Sequence, residues 1–295
     1  MGIHDFFKIK ITNEKSKFHG KTIDDIGETV DIKSMKNKTV CIDASLTIYQ
    51  SILSLNLTDK SGKTTSHINT ILNKILLYNK SGINQIWIFD SPVINPLKAN
   101  EIKKRDETRK YKLNSEHVND IKKLLDLMGI MYITAPEEVE AEKYGAWLTK
   151  HGLYDYMLSG DSDVLLFGGN LLRIKLEFTK NGKTKKTIYK KYILQDILND
   201  LEMKYEDFVK MGILMGTDYN SKQPGVGAAR IMQKYKNYDL NEEMKKSYDY
   251  YVGDIDASKT IIKQETYNKE KLIEYLTSMD FNKENLEKKL KNYNS

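Results

Sequence analysis

Short apolar segments end in acidic residues at three places in this chain. Each segment has the length and composition of a buried strand. Asp43 follows the segment 40–42, Asp90 follows 86–89, and Asp161 and Asp163 follow 156–158. In a parallel sheet the carboxyl ends of the strands share one edge, so these acids are expected to converge there. Converging carboxylates repel one another, and they either take up protons or bind divalent cations. The spacing therefore predicts a cation site at one edge of a sheet.

A fourth acidic cluster follows an apolar segment at 130–133. A plain helix start explains it about as well as a metal site, because acids in the first turn of a helix stabilise its N-terminus. On a regular helix Glu138 and Glu140 would point about 200° apart. One of the two is therefore expected at the helix cap, or to reach a metal through water. Glu137 and Glu142 are assigned to solvent or helix-dipole roles.

The residue types in the chain restrict the metal. Cys41 is the one cysteine and the five histidines are scattered, which excludes disulfide frameworks and Cys/His zinc sites. Carboxylate oxygens are the ligands that Mg²⁺ and Mn²⁺ prefer. Two such ions roughly 4 Å apart promote phosphodiester hydrolysis, because one lowers the pKa of a water and the other stabilises the leaving oxygen.

Length and composition favour one large domain, or two closely packed ones, since 40% of the 295 residues are apolar. Strand-like segments alternate with helical spacing through the first half, which is typical of an α/β fold with a parallel sheet covered by helices. The helical segments are 68–78, 118–128, 192–201, 205–215, 269–276 and 283–290. No apolar run approaches the ~18 residues of a membrane span, so a soluble, intracellular protein in a reducing compartment is expected.

Several motifs together resemble the flap endonuclease/XPG family of structure-specific 5′ nucleases, from the first residue to about Tyr235 and more loosely beyond. They are Met1-Gly2-Ile3, Ile42-Asp43-Ala44-Ser45, Thr65-Ser66-His67, Phe89-Asp90, Met128-Gly129-Ile130, Ala135 to Ala141, Gly160 to Gly168, and Met215 to Tyr219. The resemblance implies an α/β fold with a parallel central sheet flanked by helices, that is, a PIN-like 5′ nuclease fold with a helix-hairpin-helix element. The implied domains are a nuclease core at 1–235, made of 1–112, 113–215 and a helix-hairpin-helix at about 205–236, and a helical extension at 236–295 packed on that core.

Matched position by position, the resemblance assigns metal binding to seven acids: Asp43, Asp90, Glu138, Glu140, Asp161, Asp163 and Asp218. The implied cofactors are two Mg²⁺ or Mn²⁺ ions. With those seven acids set aside, 47 basic residues stand against 34 acidic ones, so the remainder carries +13. Such an excess is typical of a polyanion-binding surface. The implied reaction is flap-endonuclease or 5′-to-3′ exonuclease cleavage at single-strand/double-strand junctions of DNA, in replication, repair or recombination.

A strongly basic segment follows Asp90. On a helix Lys98 and Arg105 would lie two turns apart on one face. They match the family's basic pair that contacts the scissile phosphate, and so are the candidate catalytic residues. Without that match, an ordinary helix-surface ion pair between Glu101 and Arg105 would be favoured. Lys104 and Arg109 are further candidate nucleic-acid contacts.

The remaining nucleic-acid contacts implied by the resemblance are Gly2, Tyr49, Thr65, Ser66, His67, Gly225, Gly227 and Arg230. Tyr49 matches a tyrosine that stacks on a base near the cut, although a core aromatic explains it equally well. A helix N-cap explains Thr65 or Ser66 almost as well as a duplex contact does. Gly225 and Gly227 belong to a segment resembling a helix-hairpin-helix loop, where backbone amides approach a phosphate. In such a loop the backbone carbonyls are candidate ligands of a K⁺ ion.

The chain also departs from the flap-endonuclease pattern. Asp90 and Glu138 are 48 positions apart, fewer than in cellular flap endonucleases, so the arch is expected to lack most of its second helix. A more open gateway favours, as the alternative enzyme, an endonuclease acting on RNA or four-way junctions. The alternative from another class is a non-catalytic nucleic-acid-binding scaffold, against which the intact acid set argues. A monomer without a C-terminal sliding-clamp peptide is expected.

Overall fold

The computed structural model describes residues 3, 5–54, 57–108, 113–178 and 185–293, without the side chains of 54, 100, 104–106, 108, 176–178 and 185–186. Within this part of the chain, no helix is long and apolar enough to cross a membrane.

The strands of the described residues form one mixed sheet. They are β1 (Glu28–Val30), β2 (Thr39–Asp43), β3 (Asn84–Phe89), β4 (Tyr132–Thr134), β5 (Tyr156–Ser159), β6 (Leu171–Phe178), β7 (Lys185–Tyr192) and β8 (Ile261–Lys263). Their order across the sheet is β1-β7-β6-β5-β2-β3-β4-β8. The central strands β5, β2, β3 and β4 run parallel, and β6 joins β5 in the same direction, while β1, β7 and β8 pair antiparallel. The predicted α/β fold with a parallel central sheet is confirmed.

Helices cover both faces of the sheet. They are α1 (Ile23–Ile26), α2 (Ala44–Ser54), α3 (Ser66–Lys80), α4 (Ala99–Thr108), α5 (Ser115–Met128), α6 (Ala141–Lys150), α7 (Asp163–Leu166), α8 (Leu194–Leu201), α9 (Tyr205–Met215), α10 (Ala228–Lys234), α11 (Glu242–Val252), α12 (Lys269–Thr277) and α13 (Lys283–Lys289). Short 3₁₀ turns lie at Phe6–Lys8, Ile32–Met35, Pro96–Lys98, Tyr235–Asn237 and Ala257–Lys259. The helices predicted from periodicity all occur, with ends shifted by a few residues.

The central strands are apolar on both faces because each face packs against a separate core. Successive residues of a strand point to opposite faces, so Cys41 lies in one core while Val40 and Ile42 lie in the other. This double burial explains why the strands read as continuous apolar runs. The parallel pairing of β2 with β3 and β5 places their carboxyl ends along one edge, where the predicted acids follow.

Four strands have no continuous apolar run in the sequence and were not predicted: β1, β6, β7 and β8, which flank the central strands on both sides. The hairpin of β6 and β7 mixes lysines with apolar residues, so it lacks the apolar runs of the central strands. In β8, which pairs with β4, Ile261 and Ile262 are 66% and 60% exposed, so no burial pattern marks this strand. The C-terminal extension, which the sequence predicts to be helical, also contributes β8, the edge strand beside β4.

Asp24 in α1 ties the N-terminal segment to the β6–β7 hairpin. Its carboxylate accepts hydrogen bonds from Lys190 Nζ and Tyr192 OH, both at 2.9 Å, and from Arg173 Nη1 at 3.2 Å. Burial by itself would raise the pKa of Asp24, but the hydrogen bonds from Lys190 and Tyr192 outweigh it and lower the pKa to about 2. The ionised form of Asp24 therefore stabilises the fold.

We expect Asp24→Asn to lower the free energy of unfolding at pH 7 by about 2 kcal/mol. Because the pKa of Asp24 is lowered on folding, its contribution is complete above the unfolded pKa and is lost as the pH falls towards 2. Urea unfolding at pH 7, 5 and 3 should show that the difference in free energy of unfolding between wild type and variant becomes smaller as the pH falls. A difference that does not change with pH would contradict this role of Asp24.

Candidate metal centre

A pocket of about 260 Å³ opens at the carboxyl edge of the parallel strands. Its lining residues are Asp43, Ser45, Leu46, Tyr49, Asp90, Lys98, Ile102, Leu113, Glu140, Glu142, Asp161 and Asp218. Six of these are acids, contributed by segments from β2 to the loop after α9. None is histidine or cysteine, so the pocket offers hard oxygen ligands.

Asp43 and Asp90 are held by the helix starts beside them. Asp43 is the last residue of β2, and its Oδ1 accepts a hydrogen bond from the Leu46 amide at 2.8 Å. Asp90 follows β3, and its Oδ1 accepts one from the Ala141 amide at 2.9 Å, at the start of α6. Each carboxylate thus has one oxygen fixed by a backbone amide, as expected for side chains that present their other oxygen to a ligand.

Glu138 and Glu140 do not lie on a regular helix. Glu140 is the N-cap of α6 and lines the pocket. Glu138 is exposed, has a positive φ of 63° and does not line the pocket, while its backbone carbonyl accepts a hydrogen bond from Asn95 Nδ2 at 3.1 Å. One glutamate is therefore at the helix cap, as expected, and the other, Glu138, is exposed outside the pocket lining.

Asp161 and Asp163 occupy different depths. Asp161 lines the pocket and is 6% exposed, whereas Asp163, the first residue of α7, is 2% exposed and lies outside the lining. Oδ2 of Asp163 accepts a hydrogen bond from Tyr251 OH at 2.8 Å. Its Oδ1 is buried and has no hydrogen-bond partner within the part of the chain that the structure describes. A buried acceptor of this kind is costly unless a cation or donor reaches it.

Among the described side chains that line the pocket, Lys98 is the one that carries a positive charge. Its Nζ lies 2.7 Å from Glu140 Oε2 and 3.8 Å from Asp218 Oδ2. Burial opposes the charge on Lys98, but the attraction of Glu140 outweighs it and raises the pKa of the ammonium. Tyr219 also donates to Glu140 Oε2, at 2.5 Å, and its ring lies 5.3 Å from Lys98 Nζ. Lys98 therefore remains charged and partly neutralises the acids.

The assignment of Glu142 to solvent or a helix-dipole role was wrong. Glu142 lines the pocket, and Ser159 Oγ donates to its Oε1 in a short hydrogen bond. Burial, followed by the charges of Asp161 and Asp43, raises its pKa well above the usual range. Its position in the first turn of α6 directs the side chain towards the sheet edge, and the sequence contained no signal for that direction.

The acids repel one another strongly. Burial and the charge of Asp90 raise the pKa of Asp43 to about 8, and burial and the charge of Asp218 raise the pKa of Asp161. Among the described residues, no three acids or histidines lie close enough together to enclose one ion, so the carboxylates line an open cavity rather than a closed cage. The all-oxygen donor set and the unpartnered oxygen of Asp163 nevertheless fit divalent cations.

We expect Asp43→Asn to raise the melting temperature of the metal-free protein. A carboxyl whose pKa is raised on folding destabilises the fold increasingly as the pH rises from the unfolded value of 3.8 to the folded value of about 8. The asparagine keeps the acceptor for the Leu46 amide but carries no charge. Differential scanning fluorimetry with EDTA should therefore show the advantage of the variant growing from pH 5 to pH 8. An advantage that becomes smaller as the pH rises would contradict the repulsion between Asp43 and Asp90.

The other predicted contacts near the pocket divide into two groups. Tyr49 is half-buried and lines the pocket, rather than lying in the core. The backbones of Lys104 and Arg105 lie in α4, but their side chains are outside the described part of the structure. Gly2 and Arg109 lie wholly outside it. Their assigned roles stay predictions.

The prediction that Thr65, Ser66 and His67 contact nucleic acid needs correction. They are 4%, 0% and 0% exposed. Ser66 Oγ accepts from the Leu57 amide at 2.8 Å, and His67 Nε2 lies 3.4 Å from Asp120 Oδ2. Ser66 and His67 therefore stabilise the start of α3 from within, while Thr65 is its N-cap without a side-chain capping hydrogen bond. None of the three side chains is available to a ligand at the surface.

The predicted helix-hairpin-helix loop connects α9 to α10, which pack against each other. Gly225 has a φ of +70°, which favours glycine, and a Cβ at Gly225 or Gly227 would meet no atom within 4 Å. Arg230 is exposed on α10. The loop thus leaves bare backbone open to solvent beside the exposed Arg230, while the other face of α10 is buried through Ile231 and Met232.

Two family models match the chain: the XPG N-terminal domain at residues 18–112 and the XPG I-region at residues 129–218. Flap endonuclease 1 of Nanoarchaeum equitans is 32% identical over 253 residues, which cover 73% of this chain and 74% of that protein. The first match contains Asp43, Asp90 and Lys98, and the second contains the remaining five acids of the predicted set.

Solved structures show the same fold. Flap endonuclease-1 from Methanococcus jannaschii superposes with a TM-score of 0.74 at 24% identity, covering 91% of this chain and 95% of that one. The catalytic core of Rad2 in complex with DNA substrate has a TM-score of 0.73 at 22% identity and covers 100% of both chains. On the family models and the relative of 32% identity, this chain belongs to the flap endonuclease/XPG family of structure-specific 5′ nucleases.

Proposed function

We propose that the chain hydrolyses phosphodiesters in branched DNA with two Mg²⁺ or Mn²⁺ ions held by the predicted acids. Nucleases of this family are metal-dependent phosphodiesterases. The observation that carries the assignment here is the pocket where Asp43, Asp90, Asp161 and Asp218 meet Lys98 at one sheet edge. Acids from distant parts of the sequence would not be buried together, against their repulsion, without a cation to bind.

The bound ions would supply an activated water and a Lewis acid for the leaving oxygen. Asp43, Asp90, Glu140, Asp161 and Asp218, which line the pocket, would hold the cations. Lys98 would present its ammonium to the scissile phosphate and stabilise the charge that develops on it. Its present contacts with Glu140 and Asp218 keep that ammonium charged and fixed at the pocket wall.

Residues outside the pocket would hold the nucleic acid. Tyr49 stands in the pocket wall, where stacking on a base contributes roughly 1 to 3 kcal/mol. The exposed backbone around Gly225 and Gly227, together with Arg230, would contact the duplex away from the cut. The loop carbonyls are candidate ligands of a K⁺ ion. The net charge of +6 would strengthen binding at low salt.

The short arch would give an open gateway. Between Asp90 and α5, the described residues contain only α4 and one 3₁₀ turn. We therefore propose that a flap need not be threaded by its free 5′ end. A streptavidin block on the 5′ end should leave cleavage of a flap nearly unchanged, while a strong loss would show that the end is threaded.

The decisive experiment compares a labelled 5′-flap DNA, a four-way DNA junction and a structured RNA at one salt concentration, with Mg²⁺ or with EDTA. The expected result is Mg²⁺-dependent cleavage of the flap near the junction, faster than that of either other substrate. Preference for the junction or RNA would overturn the proposed substrate but keep the nuclease. Tight binding of all three without cleavage in Mg²⁺ or Mn²⁺ would support the scaffold alternative.

A further inference from the structure

The hydroxyl of Tyr251 reaches the acidic centre from a part of the chain that neither family match covers. Tyr251 lies in α11, beyond the matched segments 18–112 and 129–218. It donates to Asp163 Oδ2 at 2.8 Å. The two side chains are 88 positions apart in sequence and both are 2% exposed. The contact is therefore a buried, long-range hydrogen bond to a candidate metal ligand.

This hydrogen bond makes the two oxygens of Asp163 unequal. Oδ2 is held by Tyr251, while Oδ1 is buried without a hydrogen-bond partner among the described residues. A neutral phenol donates to a carboxylate without removing its charge, so the unpartnered oxygen keeps its affinity for a cation. Tyr251 thus decides which oxygen stays available and in which direction it points.

The phenol itself has little freedom. The Tyr251 ring stacks at an angle of 33° on Phe167, with centroids 4.5 Å apart, and meets the edge of Tyr219 at 5.3 Å. In the same helix, Ser247 Oγ donates to the Tyr219 carbonyl at 3.0 Å. Tyr219 follows Asp218 and donates to Glu140. Helix α11 is therefore fastened to the loop that carries another acid of the pocket.

We propose that Tyr251 is a positioning residue of the metal centre, which holds Asp163 with Oδ1 free to bind or orient a divalent cation. The C-terminal part of the chain then completes the site instead of only covering it. The inference rests on the proposed function, since it requires the acidic pocket to bind metal. Partners that orient metal ligands typically affect metal affinity by 10–100-fold.

The test is Mn²⁺ binding by electron paramagnetic resonance or calorimetry, with wild type and Tyr251→Phe compared. We expect the variant to bind Mn²⁺ roughly tenfold more weakly. Its cleavage of flap DNA should need a higher Mg²⁺ concentration, with much of the rate recovered at saturating metal. Recovery by metal separates a positioning role from a general loss of structure.

Tyr205→Phe is the matched control. Tyr205 OH donates to the Leu166 carbonyl at 2.6 Å, at the other end of α7 from Asp163. This variant also loses one partly buried phenol that holds α7, but none that holds a carboxylate. Its Mn²⁺ affinity should stay within about twofold of wild type, even if both variants melt at lower temperature. An equal loss of affinity in both would assign the effect to displacement of α7 and overturn the inference.

Two other outcomes separate this inference from the function on which it rests. A folded Tyr251→Phe that binds Mn²⁺ as wild type does would refute the positioning role and leave the nuclease intact. Wild type that binds no Mn²⁺ would refute the metal centre, and with it both proposals. Circular dichroism checks the fold, and Tyr251→Met, which also lacks the hydroxyl, replaces the phenylalanine variant if that one does not fold.

Discussion

Replacing Asp161 by asparagine is expected to lower metal-dependent cleavage roughly a thousandfold while nucleic-acid binding is retained. Asp161 lines the pocket together with Asp43 of β2 and Asp218, and it is only 6% exposed. The amide keeps the size of the side chain but removes its charge, so the local affinity for a divalent cation falls. A metal contribution of about 4 kcal/mol to the transition state corresponds to that factor.

The measurement is single-turnover cleavage of 5′-flap DNA across a range of Mg²⁺ concentrations, with binding followed by fluorescence anisotropy in Ca²⁺. Asp196→Asn is the matched control, since Asp196 is an exposed acid in the first turn of α8 and the substitution changes the net charge equally. It should cut as wild type does. Undiminished cleavage by Asp161→Asn would show that the chemistry occurs elsewhere.

Replacing Lys98 by methionine is expected to lower the cleavage rate at saturating Mg²⁺ by a factor of roughly 10² to 10³. The loss of one well-placed charge typically costs about 3 to 4 kcal/mol in the transition state. Lys98 Nζ is the cation nearest to Glu140 and Asp218 among the described contacts. Its removal leaves those acids less neutralised, so the affinity for Mn²⁺ should stay equal or increase.

The opposite responses of rate and metal affinity distinguish Lys98 from the acids. Asp161→Asn should weaken both, whereas Lys98→Met should reduce the rate alone. Lys103→Met is the control, because Lys103 is exposed on α4, close to Lys98 in the chain, and the same charge is lost. If Lys98→Met loses no more activity than Lys103→Met, the ammonium has only a structural role as a counter-ion of Glu140.

The sequence predicted the parallel core and the position of most acids for a physical reason. Strands buried on both faces are continuously apolar, so 40–42, 86–89 and 156–158 stand out, and a parallel arrangement brings their carboxyl ends to one edge. Asp43, Asp90 and Asp161 line the pocket as expected. The motif resemblance added Asp218 and Lys98, whose proximity no periodicity could have shown.

The local sequence therefore determines where the strands end and which acids follow them, but it does not determine the direction in which each side chain points. Glu142 lines the pocket from the first turn of α6, while Glu138 is exposed in the preceding turn, where its φ is positive. Thr65, Ser66 and His67 are buried because α3 packs against α2 and α5. The contact between Tyr251 and Asp163 depends on how α11 packs against α9, and only the tertiary structure decides such long-range packing.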